Sequence, residues 1–218
     1  MAPIHILDSR LVFPPVEFAD QEGLLAIGGD LSVERLKLAY NSGIFPWYSD
    51  SQPILWWSPD PRMVLFPGKL KVSKSMKQVL RRNQFRITFN QNFKEVLKAC
   101  ATIERPGQDG TWITQDMKAA YLALHMEGIA HSVEVWEGEM LVGGLYGIYL
   151  RDKKVFCGES MFSKVSNASK AAFITLVRNL QRDDVRIIDC QIYTPHLESL
   201  GAEEISREEF KKYLEPTS

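Results

Sequence analysis

The residues best suited to chemistry in this chain are Glu159, Asp189 and Gln191, three polar side chains set into apolar stretches. Glu159 falls late in Lys154-Val-Phe-Cys-Gly-Glu-Ser-Met-Phe162. Asp189 and Gln191 fall late in Val185-Arg-Ile-Ile-Asp-Cys-Gln-Ile192. A carboxylate or an amide in an apolar strand is costly to desolvate unless it is paired or used. Two readings follow. The three form a satisfied buried polar network, or they form a site that moves protons and holds a polar reactant. Asp189 and Gln191 are two apart, so alternation along the strand puts them on one face.

Both stretches are rich in β-branched and aromatic residues and read as strands. Between them, Asn167 to Gln181 reads as a helix with Ala168, Ala171, Ala172, Thr175, Leu176, Asn179 and Leu180 on one mostly apolar face. Strand, crossover helix and strand make a β-α-β unit with parallel strands. Ligands of open α/β sheets gather at the carboxyl ends of such strands, where the three polar residues lie. Upstream, His131–Trp136 and Leu141–Leu150 add two strands to an antiparallel meander. Gly143, Gly144 and Gly147 in its middle strand point to a bulge or to close approach of a ligand.

The N-terminal part is less regular. Residues 1–31 read as mostly irregular, with Phe13-Pro-Pro-Val16 excluded from helix. Gly23-Leu-Leu-Ala-Ile-Gly-Gly-Asp30 is glycine-rich but lacks the order and the Lys-Ser/Thr of a phosphate loop. Ser32 caps a helix to Tyr40. Three of five tryptophans then fall within Gly43–Arg62, on proline-broken segments. Trp56 and Trp57 read as core plugs. Trp47 is the candidate for stacking on a flat ligand. Gly68–Arg86 carries seven basic residues and no acidic one. A helix capped by Ser73 turns Met76, Val79 and Leu80 inward and Lys74, Lys77 and Arg81 outward. An all-positive row on a neutral protein points to phosphate-backbone contact. Asn90 is expected to cap a helix to Ala101, and Thr114 precedes another that Gly128 closes. Two short helices follow at Thr194–Leu200 and Ser206–Leu214.

The 218 residues are 45% hydrophobic, with a net charge of −1. A core of ordinary size is available, and any nucleic-acid contact must come from a local patch. Three cysteines fit neither a disulfide framework nor a zinc site, and the histidines show no ligand spacing. No secretory leader pattern opens the chain and no apolar run is long enough to span a membrane, so a reduced, cytoplasmic protein is expected. The fold class is therefore α/β (α+β), with a small N-terminal domain over 1–62 and a larger mixed-sheet domain over 63–218. No apolar stripe is left over, so a monomer is expected.

The order meander, crossover helix, parallel strand is also that of the GCN5-related N-acetyltransferase (GNAT) core, an analogy of fold only. The span 162–170 has no glycine with which to hold the pyrophosphate of acetyl-CoA, which disfavours a CoA-dependent acyltransferase. A non-catalytic RNA-binding module accounts for the basic row and the tryptophans but leaves Glu159, Asp189 and Gln191 unused. A thiol nucleophile built from Cys190 and His196 is a further alternative.

Seven blocks carry a more specific resemblance: Gly23–Ser32, Gly43-Ile-Phe-Pro-Trp-Tyr48, Leu55-Trp-Trp-Ser-Pro-Asp-Pro-Arg62, Gly110-Thr-Trp-Ile-Thr114, His131-Ser-Val-Glu-Val-Trp136, Phe156-Cys-Gly-Glu-Ser-Met-Phe-Ser163 and Ile188-Asp-Cys-Gln191. In this order, over almost the whole chain, they resemble the leucyl/phenylalanyl-tRNA–protein transferase family. The resemblance implies a small N-terminal domain and an acetyltransferase-like C-terminal domain. It implies transfer of Leu, Phe or Met from aminoacyl-tRNA to the α-amine of proteins beginning with Lys or Arg, creating a degradation signal without metal or cofactor. It further implies Asp189 and Gln191 as the catalytic pair, Glu159 near the donor's amino group and ribose, and Trp47 and Trp112 around the terminal adenine. Leu145, Phe156, Leu176, Leu180 and Ile188 would line the donor side-chain pocket, with aliphatic residues at 145, 176 and 180 where some relatives carry aromatics or Met. Lys74, Lys77, Arg81 and Arg82 would meet the tRNA acceptor stem.

Overall fold

The computed structural model describes residues 4–103 and 113–215. Two sheets organise them. The smaller has four short strands in the order β1-β2-β4-β3: β1 (His5–Leu7), β2 (Leu24–Gly28), β3 (Phe45–Pro46) and β4 (Leu55–Trp57). These were expected as irregular chain. Each is two to five residues long and too short to show an alternation, and pairing alone makes them strands. The helix α1 (Val33–Asn41) follows β2, and the Ser32 hydroxyl caps it by accepting from Arg35 N. The glycine-rich turn before α1 is structural: Asp30 pairs with the buried Arg35 and its Oδ1 accepts from Ser32 N.

The larger sheet has seven strands. Along the chain they are β5 (Arg62–Leu65), β6 (Arg86–Phe89), β7 (Ala130–Glu137), β8 (Met140–Leu150), β9 (Val155–Ser163), β10 (Ile187–Gln191) and β11 (Glu203–Ile205), arranged β11-β5-β10-β9-β8-β7-β6. The meander β7-β8-β9 is antiparallel and β10 joins β9 in parallel, as the order of elements requires. The crossover is α5 (Ala168–Arg182). Its Ala168, Ala172, Leu176 and Leu180 pack on one face of the sheet. On the other face α3 (Phe93–Thr102) and α4 (Gln115–Met126) share a core with α1 and with Trp56. The basic helix α2 (Lys74–Arg81) has the Ser73 cap and the buried Met76 expected of it, and rests on Ala171 and Ile174 of α5. Near the C-terminus lie α6 (Pro195–Ser199) and α7 (Arg207–Tyr213).

One local expectation needs correction, and one pair of alternatives is decided. Asn92, not Asn90, precedes α3. Asn90 adopts φ of 57° and spends its side chain across the sheet, accepting from Ser132 N and meeting His131 Nδ1. Gly147 does sit at a bulge, but protein rather than ligand comes close. A Cβ there would stand 2.3 Å from the Cys157 carbonyl oxygen and 2.5 Å from the Phe156 ring.

Candidate active site

The site is made by two bulges on neighbouring strands. In β9, Tyr146 pairs with Ser160 and Gly147 with Gly158, so Glu159 is the extra residue. In β10, Asp189 pairs with Val64 and Gln191 with Met63, so Cys190 is the extra residue. The parallel ladder between β9 and β10 ends at the pair Asp189–Cys157. Beyond it lies a cavity of about 620 Å³ lined by side chains from both strands and from α5.

The bulge corrects the expectation that Asp189 and Gln191 share a face. Ile188 and Cys190 alternate toward the cavity, and Asp189 points away, on the side of Val64 and Cys157. Gln191 reaches the cavity because the bulge breaks the alternation. Its φ of 59° is a left-handed conformation uncommon for a non-glycine residue. The Asp189 carboxylate lies 1% exposed behind this wall. Arg62 Nε donates to its Oδ1 (2.8 Å) and Arg62 Nη2 to its Oδ2 (2.7 Å). Gln191 N donates to the same Oδ1 (3.0 Å). Asp189 therefore orients Gln191 through the backbone, and is not among the cavity-lining residues.

In front of it, the Gln191 Nε2 donates to Glu159 Oε1 (3.2 Å) and Tyr121 Oη donates to Glu159 Oε2 (2.7 Å). Behind Tyr121 stands Tyr40, hydroxyl to hydroxyl, and both rings are buried. Burial pushes the Glu159 carboxyl up to about 7, although the tyrosine hydroxyls oppose the rise by stabilising its anion. Glu159 thus sits near the boundary between acid and base at neutral pH, with one oxygen tied to each of two elements.

Leu145, Phe156, Leu176 and Ile188 line the cavity, and Trp47 lines it too, with its ring tilted against Trp57. Leu180 does not line it. Being one helical turn beyond Leu176, it packs in the core below the floor. The lining is also less aliphatic than positions 145, 176 and 180 suggested, since Phe45, Met161 and Phe173 contribute. Trp112 lies outside the described residues. Lys74, Lys77, Arg81 and Arg82 are all exposed on or just beyond α2, and none is in an ion pair among the described residues. Cys190 and His196 both line the cavity, but burial raises the Cys190 thiol, which disfavours a thiolate nucleophile.

Sequence reasoning missed Arg62, Tyr40 and Tyr121. The signal for Arg62 was present: an arginine opening the otherwise apolar Arg62-Met-Val-Leu65 demands a buried partner. Tyr121 shares the buried face of α4 with Met117, Ala120 and Leu124, and nothing in the sequence ties it to Glu159.

An apolar cavity at the parting of two parallel strands, with an amide–carboxylate pair at its wall, gives this mixed α/β protein a place to hold an apolar group beside polar groups that can handle protons. Two family models match the chain. The one described as leucyl/phenylalanyl-tRNA protein transferase covers residues 64–215, and the one for that enzyme's N-terminal domain covers 29–60. A leucyl/phenylalanyl-tRNA–protein transferase from Christiangramia forsetii is 64% identical over 97% of this chain and 100% of its own length. One from Pseudomonas aeruginosa is 57% identical over 93% and 89%. The chain belongs to the leucyl/phenylalanyl-tRNA–protein transferase family. A GCN5-related N-acetyltransferase from Kribbella flavida superposes with a TM-score of 0.37 at 11% identity, covering 78% of this chain and 60% of that one. No described helix is long and apolar enough to cross a membrane.

Proposed function

We propose that the protein transfers Leu, Phe or Met from aminoacyl-tRNA to the α-amine of proteins beginning with Lys or Arg, as a cytoplasmic monomer, and so marks them for degradation. The observation that carries this reading is the contact of Gln191 with Glu159 at the wall of an apolar cavity. Family membership supports the choice of donor and acceptor. The smaller sheet ends at Trp57 and the larger begins at Arg62, which supports a division close to the proposed domains over 1–62 and 63–218.

The reaction is aminolysis of an ester. The acceptor nitrogen attacks the ester carbonyl carbon, the bond from that carbon to the ribose oxygen breaks, the amine gives up a proton and the ribose oxygen takes one. The ester is already activated, so the protein's tasks are positioning, proton transfer and support of charge on the carbonyl oxygen. With its Nε2 held by Glu159, Gln191 has its amide oxygen left to accept a hydrogen bond from the attacking amine. Glu159 faces the donor's amino group and ribose. Leu145, Phe156, Leu176 and Ile188, joined by Phe173 and Met161, take the donor side chain. A flexible Met and planar rings suit Leu, Phe and Met, and β-branched side chains fit such a slot poorly. Trp47, with Trp112, stacks on the terminal adenine. The cations at 74, 77, 81 and 82 meet the tRNA phosphates.

The test is single-turnover transfer of labelled leucine from leucyl-tRNA to a peptide beginning with Arg, beside the same peptide beginning with Ala. Transfer to the first alone is the expected result. A folded protein that binds the tRNA and transfers to neither overturns the reading and leaves an RNA-binding module.

A further inference from the structure

We propose that Arg62 is a positioning residue for the transfer step, acting through Asp189 to hold Gln191 in its working conformation. The inference rests on the functional reading above. Arg62 is 1% exposed and clasps both Asp189 oxygens with a planar fork. Its guanidinium lies 4.9 Å from the centre of the Phe45 ring and 4.8 Å from that of Phe210, so contact with two rings limits its movement. Phe45 is itself a wall of the cavity. The carboxylate that this fork orients accepts from Gln191 N at the bulge, where the backbone is left-handed. Rigid contacts therefore run from the fork to the carboxylate, then to the backbone of Gln191, whose side chain meets Glu159.

A purely structural role explains this less well. The strands β5 and β10 are already held in register by their backbone pairs Ile188–Leu65 and Asp189–Val64. A buried ion pair is weak evidence of stabilisation, because the desolvation of both charges offsets their attraction. What a bidentate fork adds beyond a point charge is orientation of the carboxylate.

The experiment compares wild type, Arg62→Lys, Asp189→Asn and the double variant Arg62→Met/Asp189→Asn in the leucyl-tRNA assay, each checked for a folded thermal transition. Arg62→Lys keeps the charge and loses the fork. It is expected to lower kcat by about tenfold or more while KM for tRNA and for peptide stays within about twofold, since the contacts that bind either substrate are untouched. The double variant buries no unpaired charge and is expected to transfer at the rate of Asp189→Asn alone, because Arg62 acts only through Asp189. Wild-type kcat in a folded Arg62→Lys overturns the proposal. So does a double variant slower than Asp189→Asn. Wild-type transfer in the same assay reports separately on the functional reading.

Discussion

Gln191 Nε2 donates to Glu159 Oε1 at 3.2 Å across the point where two parallel strands stop pairing. This bond fixes the carboxamide's orientation, with the nitrogen toward Glu159. Replacing Gln191 by Ala removes the proposed hydrogen-bond acceptor and leaves the Asp189 contact to the backbone. The expected result is a fall in kcat of roughly 10²-fold or more with little change in the melting temperature. Single-turnover transfer beside a thermal melt checks both. A variant that keeps wild-type kcat removes Gln191 from the mechanism.

The raised Glu159 carboxyl makes a prediction with a definite sign. Its folded value of about 7 lies above the ordinary 4.5, so between those two values the folded protein holds a proton that the unfolded chain has released. Stability contributed by this group is present in full below 4.5 and is lost as pH rises to about 7. Glu159→Gln should flatten the fall in melting temperature across that window. In activity, the anion proposed to hold the donor's amino group forms through the same range, so transfer should rise with pH through about 7. Tyr121→Phe deletes a hydroxyl that stabilises the Glu159 anion and should move that rise to higher pH. A rise that stays where it was in Tyr121→Phe refutes the link.

Two glycines beside the bulge of β9 should respond oppositely. At Gly147 a Cβ would stand 2.3 Å from the Cys157 carbonyl, and backbone must move to admit it. Gly147→Ala should cost about 1–3 kcal/mol or more of stability in urea and slow transfer by distorting the bulge that presents Glu159. At Gly158 the nearest atom to a Cβ is the Asp189 carbonyl oxygen at 3.7 Å, an ordinary contact. Gly158→Ala should therefore fold as the wild type does. Equal stability losses at the two positions contradict this geometry.

The exposed row on α2 should act on binding and not on the chemical step. Lys77→Ala/Arg81→Ala should raise KM for tRNA with kcat almost unchanged. It should also reduce the slope of log affinity against log salt by roughly one to two, one counterion per lost phosphate contact. An unchanged slope places the tRNA elsewhere.

Much of the large sheet was legible in the sequence because its signals are local. The apolar face of residues 168–180, the hydroxyl caps at Ser32 and Ser73, and the turns between the meander strands are set by short-range rules of periodicity and capping. The likeness of Trp47, Glu159, Asp189 and Gln191 to a known family was equally a property of the linear chain. Tertiary structure decided what pairing over long separations decides. Strands of two to five residues in the smaller sheet exist only because partners pair with them. One extra residue in β10 turned Asp189 from a cavity residue into the support behind Gln191, since alternation predicts a face only while the ladder is unbroken. The partners of the polar cluster, Arg62 and Tyr121, stand 127 and 38 residues from the groups they hold. No periodicity reaches that far, and only the folded chain brings them together.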